Sequence, residues 1–381
     1  MSTDLPHHPQ SPNGRADRAQ VIGLGLIGSS VALALRATGW HVCGIDMDAA
    51  RMSRALELGL IDEVANDPSA SLAFVATPVA SIGKVATALL REREGDSSFV
   101  VTDVGGVKSE VVGAVEDPRF VGGHPMAGSE QEGPDGADRD IFLGATWVLT
   151  PTEATDNDAY ERVREVVTSF GADVVELAPA RHDALVAIVS HLPRLIAANL
   201  MVLAADASED NAVVLRLAAG GFRDMTRIAA GNPAIWPDIF RDNAAAVIKA
   251  LDDLRERLDE AHRILVDQDR GALVALLDHA RAARRNLPPR IPRPESVVEC
   301  RVPVLDRPGA LAEVTNLLAE RGVNIYDLEV AHSAEGERGV LVLAIDAKAV
   351  DVVRAALVGR GYRVAVSLAR SPGEPSPSTS G

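Results

Sequence analysis

The stretch 21–30, VIGLGLIGSS, constrains this chain more than any other. Gly23, Gly25 and Gly28 stand in the spacing G-x-G-x-x-G. Residues 19–22 before them form a short apolar run that reads as a strand. Residues 27–35 after them, rich in Ala and Leu, read as a helix. In that setting the first glycine permits a tight turn, the second lets a pyrophosphate approach the backbone, and the third lets helix and strand pack closely. The phosphates then meet the unpaired N–H groups of the helix N-terminus. His41 to Ile45 reads as the next strand, and Asp46 ends it about twenty residues past the turn. A carboxylate there accepts hydrogen bonds from ribose hydroxyls and repels a 2′-phosphate, so NAD rather than NADP is expected. Gly23, Gly25, Leu26, Ile27, Gly28 and Asp46 are the first cofactor candidates.

Strands and helices go on alternating. Strands are expected over 72–76, 99–102, 120–123, 146–149 and 174–177, and helices over 48–58, 81–91, 107–115 and 158–169. That alternation predicts a mostly parallel, doubly wound sheet, whose ligands bind outside the carboxyl ends of its strands. Three segments lie just past strand ends: Thr77-Pro78, Asp103-Val104-Gly105-Gly106 and His124-Pro125-Met126-Ala127-Gly128. Thr77, Pro78 and Asp103 join the cofactor candidates. From 179 to 287 the strand signal stops and Ala, Leu, Arg and Asp recur at helical spacing, which predicts an all-helical domain. The linker 288–296 is proline-rich. Beyond it, β-α-β-β-α-β over 297–368 predicts a ferredoxin-like unit. Residues 1–18 and 369–381 read as a disordered leader and tail, which leaves 19–178 as the nucleotide-binding domain.

Composition removes several function classes. The net charge of −16 argues against nucleic-acid binding. It leaves room for an anionic substrate, because a few arginines reverse the field within one cleft. Only Cys43 and Cys300 are present, on separate expected strands, and both read as buried residues of a reducing, cytoplasmic compartment. No metal-ligand cluster, signal core or membrane-spanning apolar run is expected.

His124 is the strongest candidate for chemistry. It follows two glycines at a strand end, where an imidazole can take a hydroxyl proton as hydride leaves the same carbon; the alternative is a histidine that fills a loop. Glu130 lies nearby, where a solvated glutamate is the ordinary alternative. In the helical region, Ser190-His191-Leu192-Pro193-Arg194 and Phe222-Arg223-Asp224-Met225-Thr226-Arg227 set polar groups among apolar ones. Arginines so placed suit carboxylate binding, with Asp224 a possible partner, or equally a salt bridge between domains or subunits.

These segments resemble the prephenate dehydrogenase family of tyrosine biosynthesis, in a form with an appended ACT regulatory domain. GLGLIGSS, VTDVGGVK, GGHPMAGSE, SHLPR, GGFRDMTRIA followed by NPAIW, and DRPGALAEVTNLLAERGVNI carry the resemblance, which spans nearly all of 21–366. It implies a Rossmann domain, a helical dimerisation domain and a regulatory domain. The implied activity is NAD-dependent oxidative decarboxylation of prephenate, without a metal and in a homodimer. His124 then matches the catalytic histidine. Ser129, Glu130, Ser190, His191 and Arg227 match the substrate pocket, with Arg227 gripping a carboxylate. Gly309 and Asn324 flank an effector site, with tyrosine as the expected ligand and phenylalanine second. Two departures stand out. Gly106 occupies a position where members often carry Ser, a hydroxyl that Ser109 is a candidate to replace. Arg194 stands where members often carry His, and its added cation favours prephenate over arogenate. The rivals are arogenate dehydrogenase, a lysine-dependent hydroxyacid-type dehydrogenase, and a non-catalytic sensor of NAD and an amino acid. Lys249 is the helical region's only lysine, which disfavours the second.

Overall fold

The computed structural model describes residues 17–129, 131–210, 213–233, 236–285, 297–305, 307–332 and 338–368. The linker, the tail, most of the leader and Glu130 lie outside them. The chain divides into two compact units, Met1–His262 and Arg263–Gly381.

The first unit is built on seven strands: β1 (Arg18–Ile22), β2 (His41–Ile45), β3 (Leu72–Val75), β4 (Val100–Asp103), β5 (Phe120–Pro125), β6 (Thr146–Thr150) and β7 (Asp173–Glu176). Their order is β2-β1-β3-β4-β5-β6-β7. All neighbours are parallel except β5 and β6, which pair antiparallel from Gly122↔Thr150 to Pro125↔Trp147. Between the strands run α1 (Leu26–Ala37), α2 (Ala49–Glu57), α3 (Val79–Glu92), α4 (Ser109–Gly113) and α5 (Asn157–Ser169). Local chemistry starts them where the sequence reading expects. Asp48 caps α2 through the Ala50 N–H, and Asp156 caps α5 through the Ala159 N–H; such caps are each worth about 1 kcal/mol. Val21, Val31, Leu35, Phe74, Trp147, Leu149 and Val163 are among the fully enclosed side chains of the core. Cys43 and Cys300 are both buried and unpaired with each other, as expected.

Past β7 the chain is helical. The helices are α6 (Pro179–Val186), α7 (Leu192–Asp210), α8 (Gly220–Thr226), α9 (Trp236–Asp242) and α10 (Ala244–Val266). A π-helical turn, Ala187–His191, joins α6 to α7, and a 3-10 turn, Arg227–Ala230, follows α8. One expectation is corrected here. The stretch Pro179–Ser208 is long and apolar enough to cross a membrane by length and composition alone, with mean hydropathy 1.7 over its most apolar 18 residues. Its polar residues interrupt the apolar run, so no single block revealed it. The same residues include a buried His182 and Asp183, which serve the site described below.

The second unit contains the end of α10, α11 (Arg270–Arg285), and a sheet of β8 (Val297–Leu305), β9 (Ile325–His332), β10 (Arg338–Asp346) and β11 (Ala365–Leu368). The strand order is β11-β8-β10-β9, all antiparallel. Helices α12 (Ala310–Ala319) and α13 (Val350–Gly359) bury Val314, Leu318, Val353 and Leu357 with Cys300, Val302, Leu341 and Leu343 of the sheet. This is the ferredoxin-like arrangement that the element order predicts.

Candidate active site

The glycine turn lies at the carboxyl end of β1. Gly23 takes a left-handed φ of 96°, and its N–H donates to Ile45 O. A β-carbon on Gly23 would collide with the Ala76 carbonyl, and one on Gly28 with the Gly23 carbonyl. A β-carbon on Gly25 would meet nothing within 4 Å. Two glycines are therefore demanded by the protein's own packing, while the middle one opens onto space. No side chain caps the N-terminus of α1, so its amides are available to a phosphate. Asp46 accepts the Leu24 N–H at 2.7 Å and the Asp48 N–H at 2.9 Å. The carboxylate ties turn to strand and keeps lone pairs for ribose hydroxyls. Leu26, Ile27 and Thr77 are half-buried around this edge, and Pro78 is exposed. These residues fit a dinucleotide.

Asp103 needs a correction. Its side chain is fully enclosed and faces protein rather than ligand. It accepts the N–H groups of Gly105 at 2.8 Å and Gly123 at 3.0 Å, and pairs with the Lys108 ammonium. Any share Asp103 has in the cofactor site comes through the backbone and the loop it shapes. Lys108 Nζ also donates to Gly123 O at 2.7 Å. This buried ion pair thus holds both backbone groups of the residue before His124. Burial pushes the Lys108 ammonium down from its ordinary value, against the pull of Asp103.

His124 is the next-to-last residue of β5, at the carboxyl edge, and is half-buried. Its Nδ1 lies 2.8 Å from His182 Nε2, and His182 Nδ1 lies 2.8 Å from Asp183 Oδ1. His124 Nε2 turns toward Gly106, 3.7 Å from where a β-carbon on that glycine would stand. Burial, and then the charges of His182, Lys108 and His191, hold the His124 pKa well below that of an ordinary histidine, opposed by Asp183. His124 is therefore a neutral imidazole near neutral pH, the form that can accept a proton. Asp183 also accepts the amides of Lys108 and Ser109, each at 2.8 Å. Burial alone would raise its pKa, but these bonds and those from His182 and the Ser109 hydroxyl bring it down to about 2. Ser109 is thereby committed to Asp183. It does not replace the hydroxyl that Gly106 lacks.

Sequence reading missed His182, Asp183 and Lys108. The only available signal was a His-Asp pair opening the first helix of the helical region. Asn243, also missed, donates to Asp183 O at 3.0 Å and lies 3.1 Å from His191 Nδ1. Burial pushes His191 down to about 4. Its ring stands edge-on to Trp236 and Phe240, and the neighbouring Ser190 is half-buried. The two lie in the π-helical turn, an irregularity frequent at functional sites. Arg194 stacks over Trp236 at 5.0 Å and donates to Gly231 O at 2.6 Å. Ser129 is exposed, and its hydroxyl accepts the Gln131 N–H. Glu130 is outside the described residues. Arg227 and Asp224 are exposed. Lys249 is exposed and paired with Asp253, so no buried lysine base arises from it. In the second unit, Gly309 opens α12 at φ 87°, and Asn324 precedes β9; both are exposed.

One grouping contradicts the expectation of no metal-type cluster. His41, Cys43 and Glu63 bring ligand-type atoms within 4.8 Å of one another. A bridge between Cys43 and Glu63 assembles them, which spacing alone does not reveal. The Arg18 guanidinium stands 3.8 Å from Cys43 Sγ and is paired with Asp67, so a positive charge already serves this corner.

A glycine turn open to a dinucleotide, with a neutral histidine at the same sheet edge, defines the class: a nucleotide-dependent dehydrogenase. Comparison with known proteins narrows it. Residues 31–176 match the nucleotide-binding domain of prephenate dehydrogenase, 178–279 its dimerization domain, and 296–358 the ACT domain. The Bacillus subtilis prephenate dehydrogenase is 33% identical over 86% of this chain and 92% of its own. A Zymomonas mobilis cyclohexadienyl dehydrogenase is 32% identical over 69% of this chain and 94% of its own. Among solved structures, Aquifex aeolicus prephenate dehydrogenase with hydroxyphenyl propionate and NAD+ is 31% identical. It aligns with TM-score 0.66 over 71% of this chain and 98% of its own. Synechocystis arogenate dehydrogenase aligns with TM-score 0.62 at 33% identity, over 70% and 98%. The chain belongs to the prephenate dehydrogenase family, as an NAD-dependent dehydrogenase with a C-terminal ACT domain.

Proposed function

We propose that the protein catalyses the oxidative decarboxylation of prephenate to 4-hydroxyphenylpyruvate, as a cytoplasmic homodimer under feedback by tyrosine. The observation that carries the reading is His124: Nδ1 is tied to the enclosed His182, while Nε2 faces the side-chain-free Gly106. His124 takes the ring hydroxyl proton as that carbon becomes a carbonyl. NAD, when bound, accepts the hydride from the same carbon. The pair of the departing C–CO2 bond then aromatises the ring, and the ring oxygen recovers a proton. Positioning, one base and carboxylate binding suffice for this.

Arg194 supports prephenate over arogenate. Trp236 and Gly231 hold its guanidinium in place, ready to pair with the carboxylate beside the keto group and to repel an ammonium there. Arg227 grips the second carboxylate, and Ser129 and Ser190 line the pocket. Gly309 and Asn324 flank the effector. The division at 19–178, 179–287 and 297–368 is the working domain map.

Assaying NADH formation with prephenate beside arogenate, with and without tyrosine, tests the proposal. Faster turnover of arogenate reassigns the substrate. No turnover of either makes the protein a sensor. Inhibition that survives Asn324→Ala places the effector outside the ACT domain.

A further inference from the structure

Asp183 is an anion that accepts four bonds, so the proton between it and His182 belongs to His182 Nδ1. In a neutral ring His182 Nε2 is then an acceptor. Among the described residues only His124 Nδ1–H is placed to fill it, at 2.8 Å. His182 is fully enclosed and Asp183 nearly so, and no bulk water competes for these bonds. We propose that His182 and Asp183 are positioning residues that hold the His124 proton on Nδ1, making Nε2 the atom that receives the substrate's proton.

The inference rests on the reading of His124 as the base. A free imidazole exchanges between two tautomers, and only one leaves Nε2 open. When Nε2 takes the substrate proton, the imidazolium keeps its Nδ1–H bond to His182, and the Asp183 charge stabilises it without accepting the proton. The same carboxylate holds the amides at the start of α4, and Lys108 with Asp103 holds the backbone of Gly123. The ring of His124 and the chain leading into it are therefore fixed through one connected set of buried bonds. The charged and titratable groups acting on His124 are His182, Lys108, His191 and Asp183, and all four lie outside β5.

Two variants of the full-length enzyme test this, assayed for kcat and KM with prephenate and NAD across pH. His182→Leu removes the acceptor. It is expected to lower kcat by about 10–10²-fold with little change in KM for NAD, since a base in the wrong tautomer cannot act. His182→Gln presents an amide oxygen near the former Nε2 and is expected to restore most of the rate. Equal losses in both variants would mean that His182 only fills space, and a near-normal rate in His182→Leu would overturn the proposal. Should His182→Leu fail to fold, nitrogen NMR of ¹⁵N-histidine-labelled wild-type protein decides: a proton on His124 Nδ1 supports the proposal and one on Nε2 ends it. His124→Asn is measured beside them. If that variant stays active, the reading of His124 as base fails first; if it is inactive while His182→Leu is normal, only the positioning role fails.

Discussion

The nucleotide-binding sheet and the helices after it solve the problem of apolar surface differently. In the sheet, Val21, Phe74, Val101 and Leu149 are wholly enclosed by the chain's own helices. In the helical region, Ile188, Val189, Val202, Leu203, Leu217, Met225 and Leu258 are exposed, and few residues are buried together around Ala187, Leu192, Val247 and Ala250. The sheet is a finished core. The helices carry an apolar face that needs a second surface, and the proposed dimer supplies it. The site is divided along the same line. A rigid strand end carries His124, and the helical region carries the groups that orient it and the arginine proposed to meet the substrate.

The largest expected effect breaks the sheet's half of the chemistry. His124→Asn keeps similar size but cannot accept a proton. It should lower kcat by about 10²–10⁴-fold and leave NAD affinity, measured by fluorescence titration, nearly unchanged. Next comes the helices' exposed face. Val202→Asp with Leu203→Asp buries two charges in the proposed interface. Dimer dissociation should rise by at least about 10²-fold, because an unpaired buried charge costs several kcal/mol, and light scattering should report a monomer at micromolar concentration. An unchanged mass would place the interface elsewhere.

A finer cut separates fold from cofactor within the glycine turn. Gly28→Ala sets a β-carbon against the Gly23 carbonyl and should cost about 1–3 kcal/mol of stability by overpacking. Gly25→Ala meets no protein atom, so Tm should hold while KM for NAD rises. Matching losses of Tm in both variants would contradict this division.

The smallest effect is in pH. Because the His124 pKa lies well below the ordinary value, kcat/KM should stay level down through about pH 6.5 and fall only in more acid solution. A midpoint near the ordinary value would contradict the burial argument. Stability should follow with the same sign. His191, held at about 4, takes up its proton later than the unfolded chain does. Its contribution is complete above the unfolded value and is lost as pH falls toward 4, at no more than about 1.4 kcal/mol per pH unit. Urea titrations at several pH values measure it.

What the sequence determined by itself is what neighbours along the chain decide. Strand, glycine turn and helix follow one another within twenty residues, so Gly23, Gly25, Gly28 and Asp46 were legible as one device. His124 was legible because it ends a strand, and the β-α-β-β-α-β order of the second unit because each element has its own period. Tertiary structure alone decided which distant groups meet. Lys108 and Ser109 reach Asp183 across more than seventy positions, and no local pattern encodes that encounter. It also decided burial: a carboxylate after a strand looks the same whether it faces ligand, as Asp46 can, or Lys108, as Asp103 does. Packing assigned Ser109 to Asp183 rather than to the substrate, and left the apolar faces of 179–208 uncovered. Hydrogen bonds between side chains depend on where the backbone carries them, and that is settled only when the sheet and helices have closed around one another.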